Sequence, residues 1–124
     1  MIMTLFQVAL GGAIGSAARH LSNVSAMRLF GPGFPVATLC VNILGCFLMG
    51  VLVVVLAQKG VRAAPFVMTG ILGGFTTFSA FALDSFTLYE RGQVALAGAY
   101  LAGSVILSIG ALVAGVLTTR GLLA

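Results

Sequence analysis

Residues 63–83 read AAPFVMTGILGGFTTFSAFAL, without one formal charge. An apolar run of roughly 18–20 residues is enough to cross the hydrocarbon core of a bilayer as a helix. The centre of this run, Gly73-Gly74-Phe75-Thr76-Thr77-Phe78-Ser79-Ala80-Phe81, is poor material for a continuous helix. Two glycines precede two β-branched threonines, and both residue types lower helix propensity. Where a helix breaks at membrane depth, the freed carbonyls must be satisfied by protein, water or an ion. Carbonyls gathered at such a break can coordinate a cation. Phe75, Phe78 and Phe81 recur every third residue, which on a helix sets the rings along one edge. Such a stripe reads either as aromatic packing or, with the hydroxyls of Thr76, Thr77 and Ser79 beside it, as the wall of a polar path.

The rest of the chain supports a lipid solvent. Of its 124 residues, 60% are hydrophobic and 6% charged, whereas a soluble domain carries about 25% charged residues. The charges Arg19, Arg28, Lys59, Arg62, Asp84, Glu90, Arg91 and Arg120 leave uncharged stretches at 1–18, 29–58, 63–83 and 92–119. The pattern predicts an all-α membrane protein of four transmembrane helices with a break in the third. It forms one domain, residues 1–124, with spans near 3–24, 34–57, 64–86 and 93–119. The N-terminus has no basic start, and its first apolar stretch continues into a span, unlike a cleaved signal peptide.

Each remaining span carries a polar group among small residues. In the first, Gly11 and Gly15 have the small-xxx-small spacing of close helix packing, and Arg19 follows four residues later on the same side. An arginine there is either a functional group of the membrane interior or one that snorkels to the interface. Gly31-Pro32-Gly33 and Pro35 break the chain before the second span. Asn42 lies near the middle of that span, on one face with Thr38, Gly45 and Cys46. An unpaired amide in hydrocarbon costs several kcal/mol by order of magnitude, so Asn42 faces protein or a wet cavity. A plain helix–helix hydrogen bond and a functional donor fit it equally. The fourth span carries Tyr100, Ser104 and Ser108 at four-residue intervals, with Gly103 and Ala111 on the same side. Tyr100 reads as a hydroxyl donor or as an interfacial aromatic.

If the N-terminus lies on one side, that side also holds Lys59, Arg62 and Arg120, while the other holds Arg28, Arg91 and the end of the first span with Arg19. Topology follows an excess of Lys and Arg in cytoplasmic loops, and this chain has almost none. It therefore inserts both ways round, allowing an antiparallel pair, or keeps one weakly biased orientation. Asp84, Glu90 and Arg91 fall at or beyond the end of the third span, in a wet loop, and His20 is a bystander near an interface. Cys40 and Cys46, six apart on one helix, can neither bridge nor share a metal and read as packing residues. A net charge of +4, scattered along the chain, does not suggest nucleic acid. There is no nucleophile–base set, intramembrane carboxylate pair or phosphate loop, so the sequence gives an enzyme reading nothing to rest on.

The run GGFTTFSAF at Gly73–Phe81 closely resembles the GGFTTFSTF signature of the Fluc (CrcB) family of fluoride channels. The resemblance extends to Gly12-Ala13-Ile14-Gly15 with Arg19, and to Thr38-Leu39-Cys40-Val41-Asn42-Ile43-Leu44-Gly45. It covers essentially the whole chain. It implies an antiparallel, dual-topology homodimer in the cell (inner) membrane, with two fluoride pathways at the subunit interface and one structural sodium ion, Na+, at the centre. Phe78 and Phe81 would be the pore phenylalanines and Asn42 a pore hydrogen-bond donor. Ser79 and Tyr100 would belong to a polar track alongside, and Arg19 would be the vestibule arginine. The backbone carbonyls of Gly73 and Thr76, from both subunits, would hold the sodium. Ala80 stands where the family usually has threonine, which removes a hydroxyl. Two other classes fit the sequence less well. A small dual-topology multidrug exporter needs a carboxylate buried in its first span, and no acid precedes Asp84. A non-transporting assembly subunit explains the glycine faces but not the hydroxyl-rich aromatic segment.

Overall fold

The computed structural model describes residues 1–59 and 63–124, with the side chain of Lys59 left aside. Arg62, expected in the second loop, lies outside the described residues. Among the described residues, four helical spans are long and apolar enough to cross a membrane, and there is no strand. Helix α1 covers Ile2–Phe30 and α2 covers Val36–Lys59. The third span is composite: a π-wound segment, Pro65–Leu72, passes into a single turn, α3 (Gly73–Phe75), and after a break resumes as α4 (Ser79–Glu90). Helix α5 covers Val94–Leu123.

Helix α2 runs to Lys59 and α5 past Arg120, so both residues lie in last turns rather than beyond the spans, and two further boundary differences change how nearby charges are read. Helix α1 ends at Phe30 rather than near residue 24, because nothing before Gly31 breaks it. Gly31 then takes a positive φ (75°), which favours glycine, its N–H donates to the Met27 carbonyl, and Pro32 and Pro35 follow. Arg28 thus sits in the last turn of α1, where the helix dipole favours a cation, rather than in a loop. Likewise, α4 continues to Glu90 rather than ending near residue 86, so Asp84, expected at the end of the span, lies in the middle of a helix.

The spans pair through glycine. Helix α1 runs along the π-wound segment and α3, and α2 runs along α5. A Cβ on Gly11 would fall on the carbonyl oxygen of Phe66, and one on Gly15 on that of Ile71. A Cβ on Gly50 would meet the Leu112 carbonyl, and one on Gly115 the Phe47 carbonyl. Only glycine permits such backbone approach in lipid, where dispersion contacts and hydrogen bonds, not hydrophobic burial, hold helices together. The Gly11–Gly15 stripe is thus a close-packing face, and its partner is the first half of the broken span. Large apolar side chains such as Leu10, Ile106 and Leu117 stay exposed around the bundle, as a lipid solvent allows. The compact core is small: Phe81, Leu88, Ala97 and Tyr100, with Phe34, Leu39 and Leu96 against them.

Candidate functional site

The third span breaks where its sequence weakens it. After Phe75 the backbone at Thr76 is extended (φ −85°, ψ 158°), and helix resumes only at Ser79. The two threonines finish the two ends. At the first, the Thr76 N–H and hydroxyl both donate to the Leu72 carbonyl, at 3.0 and 2.9 Å. At the second, the Thr77 hydroxyl accepts from the Ala80 N–H at 3.1 Å, a side-chain cap on one of the orphan donors of a helix start.

Two distant side chains hold the gap. Asn42 of α2 binds the backbone of Thr77 twice: its Nδ2 donates to the Thr77 carbonyl at 2.9 Å, and its Oδ1 accepts from the Thr77 N–H at 2.8 Å. Arg19 of α1 donates through Nε to the Gly74 carbonyl at 3.1 Å. With α1 running on to Phe30 at about 1.5 Å per residue, Arg19 sits more than two turns inside the helix. Its headgroup is half-buried against the break rather than snorkelling out along the helix end. In an unbroken helix the Thr77 N–H would serve the Gly73 carbonyl and the Ala80 N–H the Thr76 carbonyl. Both donors are engaged by side chains instead. The Gly73 and Thr76 carbonyls, the pair expected at a cation, have therefore lost their helical partners.

The rings divide at the break. Phe78 and Phe81 lie 5.6 Å apart, tilted by 60°. Phe81 continues inward to Tyr100 at 5.3 Å, and Phe34 meets Tyr100 edge-on at 5.5 Å. Phe81 is buried, while Phe78 is 80% exposed. The expected edge of three rings does not form, because the extended Thr76 interrupts the helical phase. Phe75 turns instead toward Gly45 of α2.

A cavity of about 400 Å³ opens beside the break, lined by Asn42, Cys46, Gly73, Thr76, Thr77, Phe78, Phe81, Ser104 and Ser108 among others. Five of the eight expected site residues meet there. Arg19, Ser79 and Tyr100 do not line it. Ser79 is exposed, 3.4 Å from the Thr77 hydroxyl. The Ser104 and Ser108 hydroxyls are buried with no hydrogen-bond partner among the described residues. They share a face with Tyr100, as their four-residue spacing requires.

Asp84 is the residue that the sequence concealed. Rather than sitting in a wet loop, it is half-buried in α4 and accepts the Tyr100 hydroxyl at 3.2 Å, with buried Thr38 beside that phenol. Asp84, Thr38, Ala80, Asn23, Pro32 and Arg91 share a second cavity of about 410 Å³. Ala80 therefore withholds its hydroxyl from this cavity, not from the one beside the ring pair. At the cavity rim Arg91 donates through Nη1 to the Pro32 carbonyl at 3.3 Å. The signal that could have found Asp84 was its position one turn after Ala80 on the Phe81 side of the helix, but its charge drew it to the water in a reading by charge alone.

The family profile described as CrcB-like protein, Camphor Resistance (CrcB), matches residues 6–116. The chain belongs to the CrcB family. Among curated relatives of this CrcB chain, a protein of Cereibacter sphaeroides (strain ATCC 17029 / ATH 2.4.9) named Fluoride-specific ion channel FluC is 66% identical over 124 residues, all of both chains. A protein of the same name from Paracoccus denitrificans (strain Pd 1222) is 59% identical over 122 residues, 98% of each chain. One from Rhizobium etli (strain CIAT 652) is 48% identical over 120 residues, 94% of this chain and 96% of that one. The CrcB match runs from α1 to α5 and includes every residue of the two cavities. With its four apolar spans, this CrcB chain is a multi-pass protein of the cell membrane.

Proposed function

We propose that the chain is a fluoride-selective channel, which exports cytoplasmic fluoride passively through two pathways at the interface of an antiparallel, dual-topology homodimer. One observation carries the reading: the third span is broken, its ends are held by Asn42 and Arg19, and the gap faces a ring pair and unpartnered hydroxyls in one cavity. The relatives named as fluoride-specific channels match over the full length of the chain.

The chemistry agrees with a small, hard, strongly hydrated anion. Such an ion moves through protein only where donors replace its water. Asn42 uses one amide hydrogen on Thr77 and keeps the other. Ser104 and Ser108 each carry an uncommitted O–H. The rings of Phe78 and Phe81 offer positive edges, since the aromatic quadrupole is negative only on its faces. Edges bind an anion weakly, and conduction needs easy exit as well as favourable entry. Tyr100, Ser79 and Arg19 stand near this path rather than in its wall, in positioning roles.

The same break supports a second copy. Phe78 is largely uncovered and Gly73 and Ser79 are exposed, so polar backbone of the break faces outward from a single chain. Lipid does not accommodate irregular backbone at membrane depth, which favours cover by another protein surface. The nearly even charge on the two sides supports an antiparallel partner. The Gly73 and Thr76 carbonyls fit a hard cation, because both lack their helical donors. A sodium ion held there by two copies would supply positive charge against the carbonyl dipoles of two breaks and fix the dimer.

Fluoride efflux from liposomes containing the purified chain, followed with a fluoride electrode and with chloride as control anion, tests the reading. Rapid fluoride release with chloride retained is expected. Equal release of both anions removes the selectivity, and no release of either removes the channel.

A further inference from the structure

The proposed pathway leaves one chemically reactive group in its wall without a role. Cys46 is half-buried and lines the cavity shared by Asn42, Phe78 and Phe81, one helical turn beyond Asn42 on α2. Cys40, on the same helix, is exposed and lines neither cavity. A second feature belongs to the same cavity. Ser104 lines the same cavity, is 5% exposed, and its hydroxyl has no partner among the described residues; the Ser108 hydroxyl is likewise unpartnered. Buried hydroxyls without protein partners call for water or a polar ligand. The cavity, at about 400 Å³, has room for one of modest size.

We propose that Cys46 is a covalent control point of this cavity: a small sulfenylating electrophile enters, forms a mixed disulfide with the thiol and closes the anion path. The proposal rests on the channel reading above. In the reaction with methyl methanethiosulfonate, the Cys46 thiolate attacks the sulfenyl sulfur. A new S–S bond forms, the bond to the sulfonyl sulfur breaks, and methanesulfinate leaves with the electron pair. The thiol proton goes to water. The reagent itself is the oxidant, so the step needs no other co-reactant. Thiolate chemistry depends on access as well as ionisation, and access separates the two cysteines: one opens on the polar cavity, the other on the outer face of α2. The added methylthio group occupies the space between Asn42, the ring pair and the hydroxyls of α5, where the polar occupant must pass.

The test uses the full chain in liposomes, treated with methyl methanethiosulfonate, with fluoride efflux and the mass of the cysteine-bearing peptides read from the same samples. Expected is a methylthio adduct on Cys46, efflux lowered toward that of protein-free liposomes, and recovery with dithiothreitol. Cys40→Ser retains this sensitivity. Cys46→Ser, whatever its own starting rate, is slowed no further by the reagent. An unlabelled Cys46, a labelled Cys46 with unchanged efflux, or a Cys46→Ser protein that is still inhibited overturns the proposal while leaving the channel reading intact. A preparation with no fluoride efflux before treatment overturns both.

Discussion

Asn42→Ala removes a two-bond link between α2 and the broken span, and its effect can be worked from the geometry. The amide makes two hydrogen bonds to the Thr77 backbone, at 2.8 and 2.9 Å. Interhelical hydrogen bonds in membranes average about 0.6 kcal/mol and reach about 1.7 kcal/mol. That scale applies when the freed groups find other partners. Here the break has already separated the Thr77 N–H from its helical acceptor, and orphaning a buried backbone group costs about 1–3 kcal/mol. Two such groups put the expected loss at about 2–6 kcal/mol. Fluoride flux falls as well, because the Phe78 ring is hung from the segment that Asn42 holds. Asn42→Asp keeps the acceptor for the Thr77 N–H but sets a second oxygen against the Thr77 carbonyl, so it loses one bond, gains a repulsion, and also blocks conduction. Unfolding in mixed micelles, titrated with a denaturing detergent, gives the stability, and liposome efflux gives the flux. The reasoning is refuted if Asn42→Ala unfolds within about 0.5 kcal/mol of the parent, the range of an unremarkable surface change. The break would then hold itself, and Asn42 would be only a donor facing the cavity.

The two rings separate flux from stability. Phe78→Ile abolishes flux and leaves the packing within one chain largely unchanged, since that ring is 80% exposed there; any loss of stability comes through the contact with a second copy. Phe81→Ile also abolishes flux but lowers stability by about 1–3 kcal/mol through misfit against Tyr100 and Phe78; wild-type efflux in both variants would remove the rings from the pathway. Gly15→Ala drives a Cβ into the Ile71 carbonyl and within 2.8 Å of the Phe75 nitrogen, so it parts α1 from the broken span and destabilises by more than Gly12→Ala, whose Cβ meets nothing within 4 Å; equal unfolding curves for the two would contradict this packing. Arg19→Ala frees the Gly74 carbonyl and costs about 1.5–3 kcal/mol, the scale of a hydrogen bond to a charged group, whereas an arginine that only snorkels would leave the unfolding curve unchanged.

The sequence alone determined that this chain lives in lipid, where it crosses, and where its third crossing fails. Eight charges bound the apolar stretches, and a pair of glycines followed by a pair of threonines weakens one helix at its centre; both facts are local and survive any arrangement of the spans. The family, too, was legible in that nine-residue run. What stood on either side of the break was not. Whether Arg19 faces an interface or a carbonyl depends on how far α1 continues and on which helix the Gly11–Gly15 face accepts. Whether Asn42 donates to a helix or a cavity depends on the backbone of a residue 35 positions away; it serves both, gripping Thr77 and lining the cavity. Asp84 was misread for the same reason, because its charge predicts water until Tyr100 and Thr38 are folded against it. A polar group in a membrane is defined by its partner, and partners come from other helices, so tertiary structure alone could assign these roles.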